Sequence, residues 1–165
     1  MTFTGNPSIR PTPDRIRETL FNWLQMDIPG ARCLELYAGS GVLSLEALSR
    51  GAGHVTLIDK DPQTVLQLKT ICDQFTDDSE YTLVNDLADS WLSHNTEQFD
   101  LIFVDPPFGT NEFSKILKSI HDRNASCGYV YVETNAPLRD VIPTNYAIHR
   151  DSKAGAVHYG LINPI

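Results

Sequence analysis

The feature of the sequence that most constrains its fold is a regular alternation between short apolar runs and segments of helical pattern. The apolar runs have the length and the β-branched content of strands, and they occupy residues 33–37, 55–59, 81–84, 101–104 and 129–132. Helical patterns fill the intervals at residues 42–50, 61–75, about 87–94 and 112–123. Strands that alternate with helices are joined by right-handed crossovers into a parallel sheet covered on both faces. The alternation therefore predicts an α/β fold.

A helix is also predicted ahead of the first strand, over residues 13–26. Thr12 is a suitable N-cap, and Pro13 suits the first helical position, where a missing N–H costs no hydrogen bond. Apolar side chains then recur at the spacing of one buried helix face; they are Ile16, Leu20, Trp23 and Leu24. We divide the chain into an N-terminal segment, residues 1–30, and a main unit, residues 31–165. Because 165 residues match the usual size of one domain, we expect a single structural domain overall.

The last part of the sequence departs from the alternation. Residues 146–150 and 157–162 are both strand-like, and the six residues between them leave no room for a helix. We expect these two runs to form an antiparallel hairpin. Added to the five parallel strands, the hairpin gives a Rossmann-like sandwich whose sheet has seven strands and is mostly parallel.

The excess of acidic over basic residues argues against a protein that binds nucleic acid through a broad basic surface. The chain has 13 Lys and Arg against 21 Asp and Glu, for a formal net charge of −8. The cationic residues collect towards the two ends of the sequence. A local basic patch is one interpretation of this distribution, and scattered solvated charge is the other.

Cysteine and histidine content narrows the class further. The three cysteines are odd in number and have no CxxC spacing, which excludes a disulfide framework and a cysteine-rich zinc site and suits a reducing compartment. We interpret Cys33, Cys72 and Cys127 as core thiols. The five histidines show no ligand spacing, so we assign no metal. No apolar run reaches about 18 residues and no signal peptide is evident, so we expect a cytoplasmic protein without a membrane partner.

The residues that follow each predicted strand are the candidates for a binding site, because open α/β sheets bind ligands beyond the carboxyl ends of their strands. The first strand leads into a turn that contains Gly39 and Gly41. These glycines allow a tight turn and a close approach to a ligand. The preceding Glu35 would repel a pyrophosphate and attract an ammonium group. The alternative is a plain turn from strand to helix.

Two further acids follow the second and third strands. Asp59 is placed to accept hydrogen bonds from ribose hydroxyls; the alternative is a helix cap, a role that Asp61 suits better. Asp86 is placed to accept from an adenine amino group or to cap the next helix, and we weigh these two roles equally. Three acids around a glycine turn suit a nucleoside with a positively charged tail, so S-adenosylmethionine fits better than NAD or ATP. The residues expected to bind this cofactor are Glu35, Tyr37, Ala38, Gly39, Ser40, Gly41, Asp59, Lys60, Asp86, Leu87 and Asp105.

The most specific short motif is Asp105-Pro106-Pro107-Phe108, at the end of the fourth strand. Two prolines remove two N–H donors, so the turn presents acceptors only. Phe108 adds a face on which a base can stack. Hydrogen bonds from an exocyclic amine to Asp105 and to the Pro106 carbonyl would localise the nitrogen lone pair for in-line attack on a sulfonium methyl. The alternative interpretation of this motif is a rigid loop.

The sequence resembles the bacterial 16S rRNA (guanine-N(2))-methyltransferase family, which has the class I S-adenosylmethionine-dependent fold. The resemblance rests on five blocks: residues 10–24, which open with Arg10-Pro11-Thr12-Pro13-Asp14-Arg15, residues 35–47, Val104-Asp105-Pro106-Pro107-Phe108, Tyr131-Val132-Glu133 and Lys153-Ala154-Gly155. It implies an enzyme that methylates 16S rRNA in an assembled or partly assembled small subunit and releases S-adenosylhomocysteine.

The resemblance also implies roles for particular residues. Asp105, Pro106, Pro107 and Phe108 would hold a flipped base, and the arginine block would pack near the methionine end of the cofactor. Family members usually begin with a short hairpin rich in Gly, Trp and Arg, whereas residues 1–9 here contain no basic residue. Together with the net charge of −8, this difference leads us to expect weak binding to naked RNA. We also expect the enzyme to be a monomer. The candidate RNA-binding residues are Arg10, Arg15, Arg17, Arg150 and Lys153.

Three other functions compete with this one. Adenine-N6 methylation of DNA normally needs a target-recognition domain, for which 165 residues leave no room. Cytosine-C5 methylation needs a nucleophilic cysteine in the loop that contains Asp105, and none of the three cysteines is there. A non-catalytic cofactor-binding partner subunit would not need an intact Asp105-Pro106-Pro107-Phe108 motif.

Overall fold

The computed structural model describes residues 13–107 and 111–165 of the chain. The helices within these ranges are α1 (Asp14–Trp23), α2 (Val42–Ser49), α3 (Pro62–Phe75), α4 (Ala88–His94), α5 (Glu112–Asp122) and α6 (Leu138–Val141). The strands are β1 (Arg32–Leu36), β2 (His54–Asp59), β3 (Tyr81–Asn85), β4 (Phe99–Val104), β5 (Ser126–Thr134), β6 (Tyr146–Ala154) and β7 (Val157–Pro164). A short 3-10 turn, Asp78–Glu80, leads into β3.

The strands form one seven-stranded sheet in the order β3-β2-β1-β4-β5-β7-β6. Strands β1 to β5 are parallel to one another, and β7 runs antiparallel to both β5 and β6. The predicted α/β sheet with a C-terminal antiparallel hairpin is therefore confirmed. The order reverses direction between β1 and β4, and this is the point at which α/β sheets bind ligands.

Two helical layers cover the sheet, one on each face. Side chains alternate along each strand, so that in β1 Cys33 packs in the core under α1, α2 and α3, whereas Leu34 packs under α4, α5 and α6. By the same alternation, Glu35 points towards the layer that contains α1. Helix α1 buries Ile16 and Leu20 completely against this face.

The ends of two helices show how well local capping signals predict structure. Asp61 accepts a hydrogen bond from the Gln63 amide at 3.0 Å and caps α3, as expected. The prediction for α1 is wrong in detail: Pro13 has φ −56° and ψ 145°, so it precedes the helix, which begins at Asp14 and ends at Trp23. Thr12, the predicted cap, lies outside the described residues.

Three further observations concern parts of the fold that the pattern did not predict. The four-residue helix α6 lies between β5 and β6. Cys33 and Cys72 are buried, but the prediction of a core thiol is wrong for Cys127, which is exposed. The β4–β5 register shifts between Phe99 and Leu101, beside Cys127.

Among residues 13–107 and 111–165, no helix combines the length and apolar character needed to cross a membrane.

Candidate functional site

A cavity of about 330 Å³ opens at the carboxyl ends of β1, β2, β3 and β4, within the size range of small-molecule sites. Twelve of the predicted site residues line it: Glu35, Tyr37, Ala38, Gly39, Ser40, Asp59, Lys60, Asp86, Leu87, Asp105, Pro106 and Pro107. Gly41 does not line it, and Phe108 lies outside the described residues. The parallel sheet thus brings together strand ends that are far apart in sequence.

The turn after β1 depends on backbone conformations that favour glycine. Gly39 and Gly41 have φ values of 56° and 70°, and Tyr37 adopts the same left-handed region at 58°. A β-carbon on Gly41 would lie 2.6 Å from Leu68 Cδ2 and 3.2 Å from Leu57 Cδ2. Gly41 therefore allows the turn to pack tightly against β2 and α3, whereas Gly39 lies at the cavity.

Glu35 is a buried carboxylate at the base of the cavity, with 5% of its surface exposed. Its Oε1 accepts two hydrogen bonds from Ser44, one from the amide at 3.0 Å and one from Oγ at 2.6 Å. Burial raises the pKa of Glu35 to about 7 despite these bonds, and the negative charge of Asp59 adds to the rise. A cationic group in the cavity would favour the ionised form of Glu35.

Asp59 connects the end of β2 to the glycine turn. Its Oδ2 accepts from the Gly39 amide at 3.0 Å, and its Oδ1 accepts from the Asp61 amide at 2.9 Å. Asp61 caps α3, so the alternative role of Asp59 as that cap is wrong. A carboxylate has about four acceptor sites, so Asp59 keeps capacity for donors from a ligand.

Asp86 follows β3, and its side chain accepts from the Leu87 amide at 2.8 Å. Helix α4 has no side-chain cap, so the structure does not support the capping role of Asp86. Leu87 is 58% exposed at the cavity. A polar acceptor next to an exposed apolar side chain suits the edge and the face of a planar ring.

The end of β4 supplies the acceptor-only turn. Asp105 is partly exposed, Pro106 is buried and Pro107 is exposed. Neither proline has an N–H, so this part of the cavity presents carbonyl and carboxylate oxygens.

Sequence reasoning missed two groups of residues. Asp89, Glu112 and Lys115 line the cavity from α4 and α5; burial and a hydrogen bond to Glu112 hold the pKa of Tyr37 above its usual range. The second group is Tyr131 and Glu133 on β5. Both lie in a segment that resembles the family, but the resemblance implies no role for either residue. No strand-end pattern identifies the first group, because these side chains come from helices across the cavity.

The candidate RNA-binding residues do not share one surface. Arg17 pairs with Asp14 at 2.8 Å and approaches Glu46 at 3.6 Å, and neither it nor the exposed Arg15 lines the cavity. On β6, Arg150 pairs with Leu161 and Lys153 pairs with His158. Opposed residues share a face and neighbours alternate, so Arg150 and Lys153 point to opposite faces of the sheet. Arg10 lies outside the described residues.

Comparisons with known proteins identify relatives of this chain. A family model described as conserved hypothetical protein 95 matches residues 1–163. The chain is 39% identical over 160 residues to ribosomal RNA small subunit methyltransferase D of Escherichia coli, covering 94% of this chain and 80% of that protein. It is 35% identical over 162 residues to the protein of that name from Haemophilus influenzae, covering 95% and 84%.

Solved structures that resemble this chain are also described as methyltransferases. The E. coli protein yhhF, described as a methyltransferase, superposes with a TM-score of 0.84 at 35% identity, covering 94% of this chain and 89% of that one. A methylase from H. influenzae superposes with a TM-score of 0.80 at 36% identity, covering 92% and 98%.

Proposed function

The chain belongs to the conserved hypothetical protein 95 family, as a relative of ribosomal RNA small subunit methyltransferase D, and from this premise we propose its reaction. It transfers a methyl group from S-adenosylmethionine to the exocyclic N2 amine of a guanine in 16S rRNA. One observation carries the proposal: the acceptor-only turn at Asp105 opens into the same cavity as Glu35, Asp59 and Asp86. A site for an amine and a site for a cationic nucleoside therefore adjoin.

The side chains of the cavity fit S-adenosylmethionine part by part. Buried Glu35 suits a neighbouring positive charge, because burial alone disfavours its ionised form. Asp59 suits the ribose hydroxyls, and Asp86 with Leu87 suits the adenine amino group and ring. When bound, S-adenosylmethionine supplies an electrophilic methyl group on sulfur and leaves as S-adenosylhomocysteine.

The strand end of β4 orients the amine that is to be methylated. Asp105 and the Pro106 carbonyl would accept its two N–H groups, which withdraws the nitrogen lone pair from the ring and directs it into the cavity. The nitrogen gains the methyl group and gives up one of these two protons, so that the product keeps one N–H. Phe108 supports the flipped base by stacking. Catalysis rests mainly on this positioning.

The substrate is the RNA within an assembled or partly assembled small subunit. We place the enzyme in the bacterial cytoplasm, where it acts as a monomer. Arg10 and Arg15 contact phosphate together with either Arg150 or Lys153, which point to opposite faces of the sheet. Arg17 contributes less because Asp14 and Glu46 neutralise it. We expect the N-terminal segment and the main unit to act as one structural domain, which is supported by the burial of α1 against the sheet.

Methyl transfer to purified small subunits tests the proposal. Subunits from cells that lack this gene are incubated with the enzyme and isotopically labelled S-adenosylmethionine, and the digested nucleosides are identified by mass spectrometry. We expect the label in N2-methylguanosine at one position of 16S rRNA. Label in N6-methyladenosine, or no transfer, would overturn the proposal. Asp122→Ala, which removes an exposed carboxylate on α5, serves as the active control.

A further inference from the structure

A buried pair of side chains on β5 has no role in the chemistry described so far. Tyr131 is fully buried and Glu133 is 7% exposed. The Tyr131 hydroxyl donates to Glu133 Oε1 at 2.7 Å. Neither residue lines the cavity as the described residues enclose it. A carboxylate in such a place is costly unless it is hydrogen-bonded.

The pair lies next to Asp105. Val104 on β4 is in register with Val132 on β5, so the following residues, Asp105 and Glu133, lie side by side at the ends of adjacent parallel strands. Neighbouring strands are about 4.8 Å apart, and the alternation of β4, continued for one residue beyond its end, would put the Asp105 side chain on the same face as that of Glu133. Burial, the Glu133 charge and then the Asp105 charge hold the pKa of Tyr131 well above its usual value, which agrees with this proximity.

Glu133 uses only part of its hydrogen-bonding capacity within the described residues. Oε1 accepts from Tyr131, whereas Oε2 has no hydrogen-bond donor among residues 13–107 and 111–165. An ionised carboxylate can accept about four hydrogen bonds. Tyr131 fixes the side chain by one oxygen, so the other remains available to a donor beside Asp105.

The base edges differ in what they offer to two neighbouring acceptors. On guanine, the N1–H lies next to the N2 amine, so this edge presents donors side by side. On adenine, the N6 amine lies next to N1, which is an acceptor. Two adjacent carboxylates therefore match guanine, and one of them would face the N1 lone pair of adenine. Such mismatched polar groups are an effective means of rejecting the wrong ligand.

We propose that Glu133 is the residue that selects guanine, by accepting the N1–H of the base while Asp105 accepts from its N2 amine. Tyr131 is a positioning residue that orients the Glu133 carboxylate. This inference rests on the proposed function and names the base specificity of the same site.

The test uses two reconstituted small subunits, with guanosine or adenosine at the position that the wild-type enzyme methylates. Glu133→Gln keeps an acceptor for Tyr131 and presents an amide donor that suits adenine N1. We expect its rate on the guanosine subunit to fall at least tenfold, and the guanosine-over-adenosine rate ratio to fall by about the same factor or more. S-adenosylmethionine affinity by calorimetry should change less than about threefold, because Glu133 lies outside the cavity.

Two further variants distinguish a role of Glu133 in base selection from a role in stabilising the fold. Glu133→Asp keeps only acceptors and should retain the guanosine preference at a lower rate, which also covers the case of a Glu133→Gln protein that does not fold. Tyr131→Phe should slow the reaction without inverting the preference. An unchanged rate ratio in folded Glu133→Gln, or a lost preference in Glu133→Asp, would overturn the inference while the proposed function stands. If the wild-type enzyme methylates no guanine, the proposed function fails and the inference fails with it.

Discussion

Truncation of two carboxylates of the cavity should have different effects: one variant should lose methyl transfer, and the other should lose cofactor affinity. Asp105→Ala should reduce methyl transfer to background and leave S-adenosylmethionine affinity within a few-fold, because its proposed hydrogen bonds go to the base. Asp59→Ala should weaken cofactor binding by about 1.5–3 kcal/mol through lost charge-assisted hydrogen bonds. Calorimetry and a transfer assay on both proteins make each variant the control for the other. Asp105 lines the cavity shared with the cofactor, so a large loss of cofactor affinity in Asp105→Ala would mean that its main contact is with the cofactor and not with the base.

Glu35 should make both stability and cofactor binding depend on pH. Its pKa in the folded protein, about 7, is above the ordinary value of 4.5, so the folded state loses stability as pH rises from about 4.5 to 7. At 1.36 kcal/mol per pKa unit, the effect is about 3 kcal/mol relative to Glu35→Gln, which keeps an acceptor for Ser44. Denaturant unfolding of both proteins from pH 4.5 to 8 measures it.

Cofactor affinity should change in the opposite direction. A bound cation favours ionised Glu35, so wild-type affinity for S-adenosylmethionine should rise between pH 6 and 8, with a flatter profile for Glu35→Gln. Parallel profiles in calorimetry would show that Glu35 does not sense the bound cation.

The acids that follow strands were predictable, because each comes directly after an apolar run and parallel strands bring their ends to one edge. Asp89, Glu112 and Lys115 were not, since their place at the cavity depends on how α4 and α5 pack. Glu133 lies in a segment that resembles the family, but its relation to Asp105 depends on the register of β4 with β5, which no local pattern specifies. Phe108 stays a prediction.

The turn between β1 and α2 should be sensitive to a single added methyl group. Gly41→Ala combines a left-handed backbone, at φ 70°, with a β-carbon 2.6 Å from Leu68 Cδ2. Gly155, in the β6–β7 turn, has φ 61° and no atom within 4 Å of the added β-carbon, so Gly155→Ala reports backbone strain alone. We expect Gly41→Ala to lose about 1–3 kcal/mol more stability than Gly155→Ala, as overpacking typically costs. Equal losses in denaturant unfolding would mean that the contact relaxes freely.

Most helices and strands were predicted where the hydrophobic pattern extends over several residues. Strands β1 to β4 and helices α2 to α5 begin and end within about two residues of the expected positions, whereas β5 extends beyond residues 129–132 at both ends. The start of α1 was misjudged because a proline fits the position before a helix as well as the first turn. Helix α6 has four residues, too few for a helical period to be visible.

Charge over the whole molecule should make RNA binding weak and only slightly dependent on salt. The net charge is −8, Arg17 is paired with acids, and Arg150 and Lys153 lie on opposite faces of the sheet. Each phosphate contact adds about 0.7–0.9 to the slope of log affinity against log salt, so we expect a slope of no more than about 3. The measurement compares binding and methyl transfer for protein-free 16S rRNA and for small subunits over a salt series. A steep slope with equal or better activity on the naked RNA would reveal a basic surface on the enzyme.

The place of β7 in the sheet imposes an order on folding. Strand β7 lies between β5 and β6, yet it follows β6 in the chain. As the ribosome releases the chain, β6 therefore emerges before the only strand that connects it to the sheet among the described residues. Until residues 157–164 are available, the N–H and C=O groups along that edge of β5 have no partner strand. An open edge of this kind is a template for pairing with other chains, so synthesis interrupted before residue 157 would leave the nascent protein most exposed to aggregation at β5.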